Sequence, residues 1–197
     1  LWRPYDQSKT DDYFQAGLSF PKQSSSFNVA ILPAGFLPTR EGKAILPVQK
    51  NDEWWLLAYL NSGPVQSLVR VACRLLKQSG AISRIPLAVT ADHKDALAES
   101  AKKLFVTTRL SYVFDETSRY FIGPRALAPN DVRSAITLGD EFEHHIQTID
   151  GIVRSCFGDI PEEWVETASI PAPYTPTGEE LRSWAVGVAF GRFCRTP

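Results

Sequence analysis

The stretch EWWLLAYLNSGPVQSLVRVACRLL, residues 53–76, decides the fold because it holds two apolar helical segments around one break. Glu53–Leu60 predicts a short helix. Asn61–Pro64 interrupts it with a capping serine and with a proline suited to the first turn of the next helix. Over Val65–Leu76 apolar side chains recur at helical spacing, which predicts a second helix that ends at Gly80.

Short strands are predicted on both sides of this helical pair. Phe27–Leu32 (FNVAIL) and Lys43–Gln49 (KAILPVQ) are aliphatic runs bounded by proline and glycine, a pattern typical of strands. The segment Thr39–Lys43 between them predicts the tip of a hairpin. After the second helix, Ala81–Val89 predicts a return strand.

The second half of the chain has the pattern of helices. Ala91–Tyr112 carries apolar residues on one face, and a longer helix is predicted over Asn130–Cys156. Residues 170–176 contain three prolines and predict a stiff, extended linker. Thr177 and Glu180 form a capping-box pattern that opens the last helix.

These segments predict an α+β fold, in which a small strand-containing lobe precedes a helical region with two long helices. The expected domains are an α/β lobe over residues 1–90, a helical region over 91–169, and a proline-rich linker with a C-terminal helix over 170–197. A chain of 197 residues with 44% hydrophobic side chains is long enough and apolar enough to bury a core.

Composition argues against several classes of protein. No apolar run reaches the roughly 20 residues that cross a bilayer, and the N-terminus lacks the pattern of a signal peptide. The cysteines Cys73, Cys156 and Cys194 are far apart and odd in number, which argues against a disulfide framework and favours a cytoplasmic setting. A chain that begins with Leu1 and contains no methionine is expected to be a fragment or a processed form.

The net charge is −1, but its two signs are distributed unevenly. Residues 1–90 carry 10 Lys or Arg against 6 Asp or Glu, whereas residues 91–197 carry 11 against 16. A basic half beside an acidic half is compatible with nucleic-acid contact through one face only. Many enzymes share this distribution, so charge alone does not assign a function.

Seven short strings follow one another along the chain: GLSFP at 17–21, LPAG at 32–35, LLAYLNS at 56–62, ISRIPL at 82–87, DETSRYF at 115–121, IDGIV at 149–153 and WAVGVAFGR at 184–192. Together they resemble the C-terminal target-recognition region of large adenine-specific DNA methyltransferases, above all the PglX-like enzymes of BREX phage-defence systems. The resemblance implies that this chain selects a site on double-stranded DNA. It further implies a methyltransferase domain outside this chain, and other defence-system proteins as partners.

The chain lacks the motifs of the methyl transfer itself. An adenine methyltransferase needs a glycine-rich cofactor loop and an Asn/Asp-Pro-Pro-Tyr/Phe motif that receives the flipped base. Neither a Pro-Pro dipeptide nor a GxGxxG pattern occurs in the sequence. We therefore expect this chain alone not to methylate DNA, and we expect S-adenosylmethionine to be bound by the implied full-length enzyme.

Seven polar residues are the candidate DNA contacts: Lys22, Gln23, Ser24, Ser25, Arg40, Lys43 and Arg84. Lysine and arginine suit phosphates, whereas glutamine and small hydroxyls reach base edges without steric cost. In the family a pair of arginines is common where Lys22 and Gln23 stand, which implies a different recognised sequence or a weaker contact. Arg84 is included because the resemblance places its predicted strand near the DNA.

Two other functions compete with DNA recognition. A protein-interaction module would use the same fold to dock partner subunits of the defence complex, without DNA binding of its own. A stand-alone hydrolase would pair Cys156 or Cys194 with His144 or His145. His144, however, lies three helical turns from Cys156 on one predicted helix, too far for a hydrogen bond.

Two further patterns are more typical of structure than of function. A metal site of Glu141, Glu143 and the two adjacent histidines competes with a solvated helix face, because neighbouring residues on a helix point in different directions. The tryptophans, Trp164 among them, are expected in the core rather than stacked on nucleotides.

Overall fold

The computed structural model describes residues 2–4, 12–87, 89–118, 120–130, 139–158, 160–170 and 179–190. Contacts divide the chain into two compact units: unit 1 holds Leu1–Lys103 and Glu143–Ile170, and unit 2 holds Leu104–Phe142 and Pro171–Pro197. Helices and an antiparallel sheet occur together, so the predicted α+β class is confirmed. The predicted domain boundaries after residues 90 and 169 stay a prediction.

Unit 1 contains an antiparallel sheet of four strands in the order β1-β4-β2-β3. The strands are β1 (Trp2–Pro4), β2 (Gly17–Pro21), β3 (Ala30–Leu32) and β4 (Gly42–Pro47). In the central strand β2, Leu18 pairs with Ile31 on one side and with Ile45 on the other. Leu18 and Ile45 are fully buried, so the middle of the sheet faces the core.

The predicted hairpin between Phe27–Leu32 and Lys43–Gln49 is wrong, although both segments contain strands. β2 lies between β3 and β4 in the described sheet, so these two strands are not neighbours. Thr39 and Gly42 do form a tight turn, because the Gly42 amide donates to the Thr39 hydroxyl at 2.9 Å. The connection over residues 33–41 is longer than a typical hairpin loop, which lets the chain pass β2 before it pairs.

Six helices accompany the sheet within the described ranges. They are α1 (Glu53–Asn61), α2 (Gly63–Cys73), α3 (Ser79–Ile82), α4 (Ala91–Ser111), α5 (Gly139–Phe157) and α6 (Glu180–Ala189). The break that separates α1 from α2 falls at Ser62, where the sequence predicts it. α4 and α6 confirm two further predicted helices, and α5 confirms the second half of the predicted long helix. Residues 131–138 and the linker over 171–178 lie outside the described residues.

Two predictions near the end of α2 are wrong. The helix ends at Cys73 rather than at Gly80, since Arg74 adopts a positive φ of 49° and Leu75 is 60% exposed. The predicted strand Ala81–Val89 is instead the end of α3 followed by a turn, in which the Arg84 amide donates to the Ala81 carbonyl at 3.1 Å. Its buried residues Ile82 and Ile85 are three apart, a spacing that suits a helical turn and not an alternating strand.

The core of unit 1 lies between the sheet and α1. The four large apolar side chains on its buried face, Trp55, Leu56, Tyr59 and Leu60, are each at most 4% exposed. The Tyr59 ring stacks on Phe157 of α5 at 6.2 Å between centroids, and Phe20 of β2 meets Phe27 edge to face at 5.0 Å. Aromatic side chains bury large areas, so the first contact joins α1 to α5 and the second joins β2 to the chain that leads into β3.

Candidate nucleic-acid interface

The Lys22–Ser26 loop, which follows β2, is held by backbone hydrogen bonds on two sides. The Lys22 amide donates to the Glu41 carbonyl at 2.7 Å, and the Lys77 amide donates to the Lys22 carbonyl at 2.8 Å. The Ser24 amide donates to the Leu75 carbonyl at 3.2 Å, and Gln23 forms an isolated antiparallel bridge with Leu76. The loop therefore lies between the 39–42 turn and the chain that leaves α2.

A buried cation lies beneath this loop. Lys77 is 1% exposed, and its ammonium group donates to the carbonyls of Ser24 and Arg74, the latter at 3.2 Å. Burial lowers the pKa of Lys77, while the Cys73 thiol opposes the shift. An ammonium group out of water needs such partners, so Lys77 ties the middle of the loop to the end of α2. No sequence pattern marks this lysine, because its burial depends on the loop.

Two buried side-chain amides hold the chain that follows the loop. Asn61 accepts a hydrogen bond from the Val29 amide at 2.9 Å and donates to the Val29 carbonyl at 2.8 Å. Gln66 accepts from the Phe27 amide at 2.8 Å and donates to the Leu60 carbonyl at 3.0 Å. The Asn61 amide thus satisfies both polar groups of Val29 as a neighbouring strand would. The sequence interpretation of Asn61 as helix punctuation missed this role.

The predicted DNA contacts of the loop and the turn fall on connected segments. The Lys22 ammonium pairs with the Glu41 carboxylate at 3.1 Å, next to the exposed Arg40. The Lys43 ammonium donates to the Ser79 hydroxyl at 3.2 Å, and Ser79 begins the short helix after Lys77. The structure therefore brings the Lys22–Ser26 loop and the 39–43 turn to one region of unit 1.

Arg84 lies instead in an open groove of about 1690 Å³, which we call the arginine groove. Its cations are Arg70, Arg74 and Arg84, and Ser25 and Ser26 of the loop also line it. Arg70 pairs with Glu166 across the groove, whereas among the described residues no carboxylate lies within ion-pair distance of Arg74 or Arg84. Arg70 and Arg74 were not predicted as contacts, because each lies in a segment whose apolar spacing predicts an ordinary helix.

Trp164 also lines the arginine groove, and the expectation that it lies in the core is wrong. Its side chain is 68% exposed at the end of a short 3₁₀ turn, Glu162–Trp164. Val71, 85% exposed, and Leu75 line the same groove. A groove with apolar patches, and with two arginines that have no carboxylate partner in the described part of the chain, suits a ligand that is both flat and anionic.

The groove wall that carries Trp164 is fixed to α1 and α2. The Glu166 amide donates to the Ser67 hydroxyl at 2.8 Å, and the Ser169 amide donates to the Asn61 carbonyl at 2.7 Å. At the start of α2, the Gly63 amide donates to the Asp150 carboxylate of α5 at 2.9 Å. Burial raises the pKa of Asp150, against the opposing effects of the Gly63 amide and Arg154.

Asp150→Asn is expected to make unit 1 more stable at neutral pH, since the amide keeps an oxygen for Gly63 and carries no charge to bury. Because the folded-state pKa of Asp150 is raised, its carboxyl group contributes its full stabilisation below the ordinary pKa of 3.8. This stabilisation is lost as the pH rises through the folded-state pKa. The advantage of Asp150→Asn should therefore grow with pH across that window. Urea unfolding between pH 3 and 8 measures it. Asp150→Ala, which also loses the acceptor, should cost about 0.5–2 kcal/mol.

The cysteines and histidines that were weighed as a hydrolase pair or a metal site have other neighbours in the structure. Cys156 contacts His93, with 3.7 Å between sulfur and Nδ1, and also donates to the Ile152 carbonyl. His144 and His145 lie side by side with ring centroids 5.7 Å apart, while Cys194 lies outside the described residues. In the described part of the chain, no three His, Cys, Asp or Glu side chains come close enough to hold a metal ion.

Comparison with protein-family models and with curated proteins gives no match for this chain. None of the described helices combines the length and apolar character needed to cross a membrane.

Proposed function

We propose that this chain is the DNA-recognition region of an adenine-specific DNA methyltransferase that acts in a phage-defence or restriction-modification system. The observation that carries the proposal is the juxtaposition of the Lys22–Ser26 loop with the 39–43 turn. Six of the seven residues chosen from sequence as DNA contacts belong to these two segments. Arg84 and Ser25 both line the arginine groove beside them.

In this proposal the cations set the register and the loop reads the bases. Arg40 is exposed at the tip of the turn, and Lys43 lies in the adjoining strand, where both can meet successive phosphates. Gln23 and Ser25 are exposed on the loop, with side chains that can hydrogen-bond to base edges in the major groove. Lys22 contributes less charge than expected from sequence, since Glu41 pairs with it.

The methyl transfer itself belongs to a domain that this chain does not contain. That domain would bind S-adenosylmethionine and receive the flipped adenine, while the present chain would hold the duplex in register. A cytoplasmic setting and partnership with other defence-system proteins are part of the same proposal. The cytoplasmic setting rests on the cysteine pattern, and the other parts follow from the resemblance and not from the fold.

Arg40→Ala and Lys43→Ala are each expected to weaken binding to duplex DNA and to reduce its salt dependence. Each phosphate contact removed lowers the slope of log K against log salt by about 0.9. Fluorescence anisotropy of a labelled duplex across a salt series measures both quantities. Lys102→Ala is the matched control, because Lys102 is an exposed cation on α4 that lies outside the loop, the turn and the groove. Equal losses in all three variants would contradict the proposed contact face.

A protein-interaction module is the second candidate, and exposed apolar side chains of unit 2 favour it. Phe190 is 86% exposed, Ile122 is 65% exposed, and Val186 and Leu127 are 56% exposed. Exposed apolar side chains mark a protein interface where they form one contiguous patch. Binding that resists salt, depends on Phe190 and ignores Arg40 would favour this candidate over DNA recognition.

A further inference from the structure

We propose that the arginine groove holds an unstacked nucleobase of the bound DNA against Trp164. This inference rests on the proposed function, since it names what one part of that surface recognises. It adds a binding mode that reads the face of a base, whereas the loop reads base edges.

The first support is the rigidity of the wall that presents Trp164. The chain just after it is fixed by the Glu166 and Ser169 amides, which donate to Ser67 and Asn61. The start of α2 also packs closely against this segment, because an added Cβ on Gly63 would clash with the Glu166 carbonyl. These contacts hold the backbone next to Trp164, so little backbone entropy is lost when a ring stacks on its indole.

The second support is the exposure of that indole. Covering a large aromatic side chain with another apolar surface is stabilising, because it removes apolar area from water. Trp164 leaves 68% of its surface in water. Stacking on an aromatic side chain is available to any base once it has left the helical stack. A paired base within a duplex presents only its edge, so the partner of Trp164 must be unstacked.

The third support is the charge around the indole. Arg74 and Arg84 line the groove without a described carboxylate partner, while Glu166 is already paired with Arg70. Glu163 is the other acidic residue of the lining, so the cations exceed the acids. Phosphates on either side of an unstacked base would meet these guanidinium groups, and the Ser25 and Ser26 hydroxyls could bond to its polar edge.

The test compares two short oligonucleotides of equal length, one single-stranded with bases and one abasic throughout. Trp164→Ala should bind the base-containing strand about tenfold or more weakly than the wild type, whereas Trp164→Phe should recover part of that loss. Both variants should bind the abasic strand as the wild type does, since only phosphates remain. Trp164 is mainly exposed, so thermal unfolding should show that both variants are folded.

Several outcomes would overturn the inference. Equal affinity of the wild type and Trp164→Ala for the base-containing strand would exclude stacking on Trp164. If the wild type still bound duplex DNA in a salt-dependent way, the proposed function would remain supported. Absence of duplex binding by the wild-type protein would instead contradict the proposed function. Binding of polyglutamate that depends on Trp164, without any effect on oligonucleotides, would assign the groove to an acidic protein partner.

Discussion

Replacing Gly63 by alanine is expected to destabilise unit 1 by about 1–3 kcal/mol, the cost of overpacking a filled site. An added Cβ would lie far inside van der Waals contact with the Glu166 carbonyl, and only 3.2 Å from the Asp150 carboxylate. The carbonyl belongs to the backbone, so relief requires the whole segment that carries Trp164 to move. Urea unfolding monitored by tryptophan fluorescence measures the change.

Gly151→Ala is the matched control for this prediction. Gly151 lies next to Asp150 in α5, and nothing within 4 Å would meet its added Cβ. Alanine in a helix interior should stabilise the protein by about 0.5–1 kcal/mol relative to glycine. If both substitutions stabilised the protein, the close contact at Gly63 would be contradicted.

Asn61→Ala should destabilise unit 1 by at least about 2 kcal/mol, because it leaves the amide and the carbonyl of Val29 without partners inside the protein. Each buried polar group left in this way costs about 1–3 kcal/mol. Asn61 is 4% exposed, so water cannot replace the amide without opening the core. Asn61→Asp should be at least as harmful, since it keeps the acceptor, loses the donor and buries a charge.

Hydrogen exchange at the Val29 amide gives a second measurement, which should accelerate in both Asn61 variants before global unfolding. Gln147→Ala serves as the control, since Gln147 is an exposed amide on α5 and its loss should change stability by less than about 0.5 kcal/mol. Unchanged exchange at Val29 in Asn61→Ala would show that the Asn61 amide does not hold this segment.

The fold was predictable where local sequence decides the structure. The apolar spacing of α1 and the Asn61–Pro64 break place a helix, a turn and a second helix without any distant partner. β2 was not predicted, since Gly17–Pro21 is short and bounded by glycine and proline. It becomes a strand only because β3 and β4 supply partners on both sides. Strand order likewise depends on contacts that a local pattern does not contain.

The candidate site was predictable only in part, for the same reason. Lys22–Ser25 and Arg40 stand in polar loops, which sequence alone marks as accessible. Arg70 looks like one more helical residue until its position beside Trp164 is known. The exposure of Trp164 and the burial of Lys77 reverse the usual preferences of their residue types. Such reversals are set by tertiary neighbours and are frequent where a protein binds a ligand.

The way the Lys22–Ser26 loop is held has a consequence for how this surface could diversify. Its anchors are backbone atoms of Lys22 and Ser24 together with the Lys77 ammonium group, while Asn61 and Gln66 hold the chain that follows it. None of these contacts depends on the side chains at residues 23 and 25. Those two positions can therefore be randomised while the frame stays intact. A library built there would yield interchangeable loops on a constant scaffold, and selection against different DNA sequences could retarget the protein without redesign of its core.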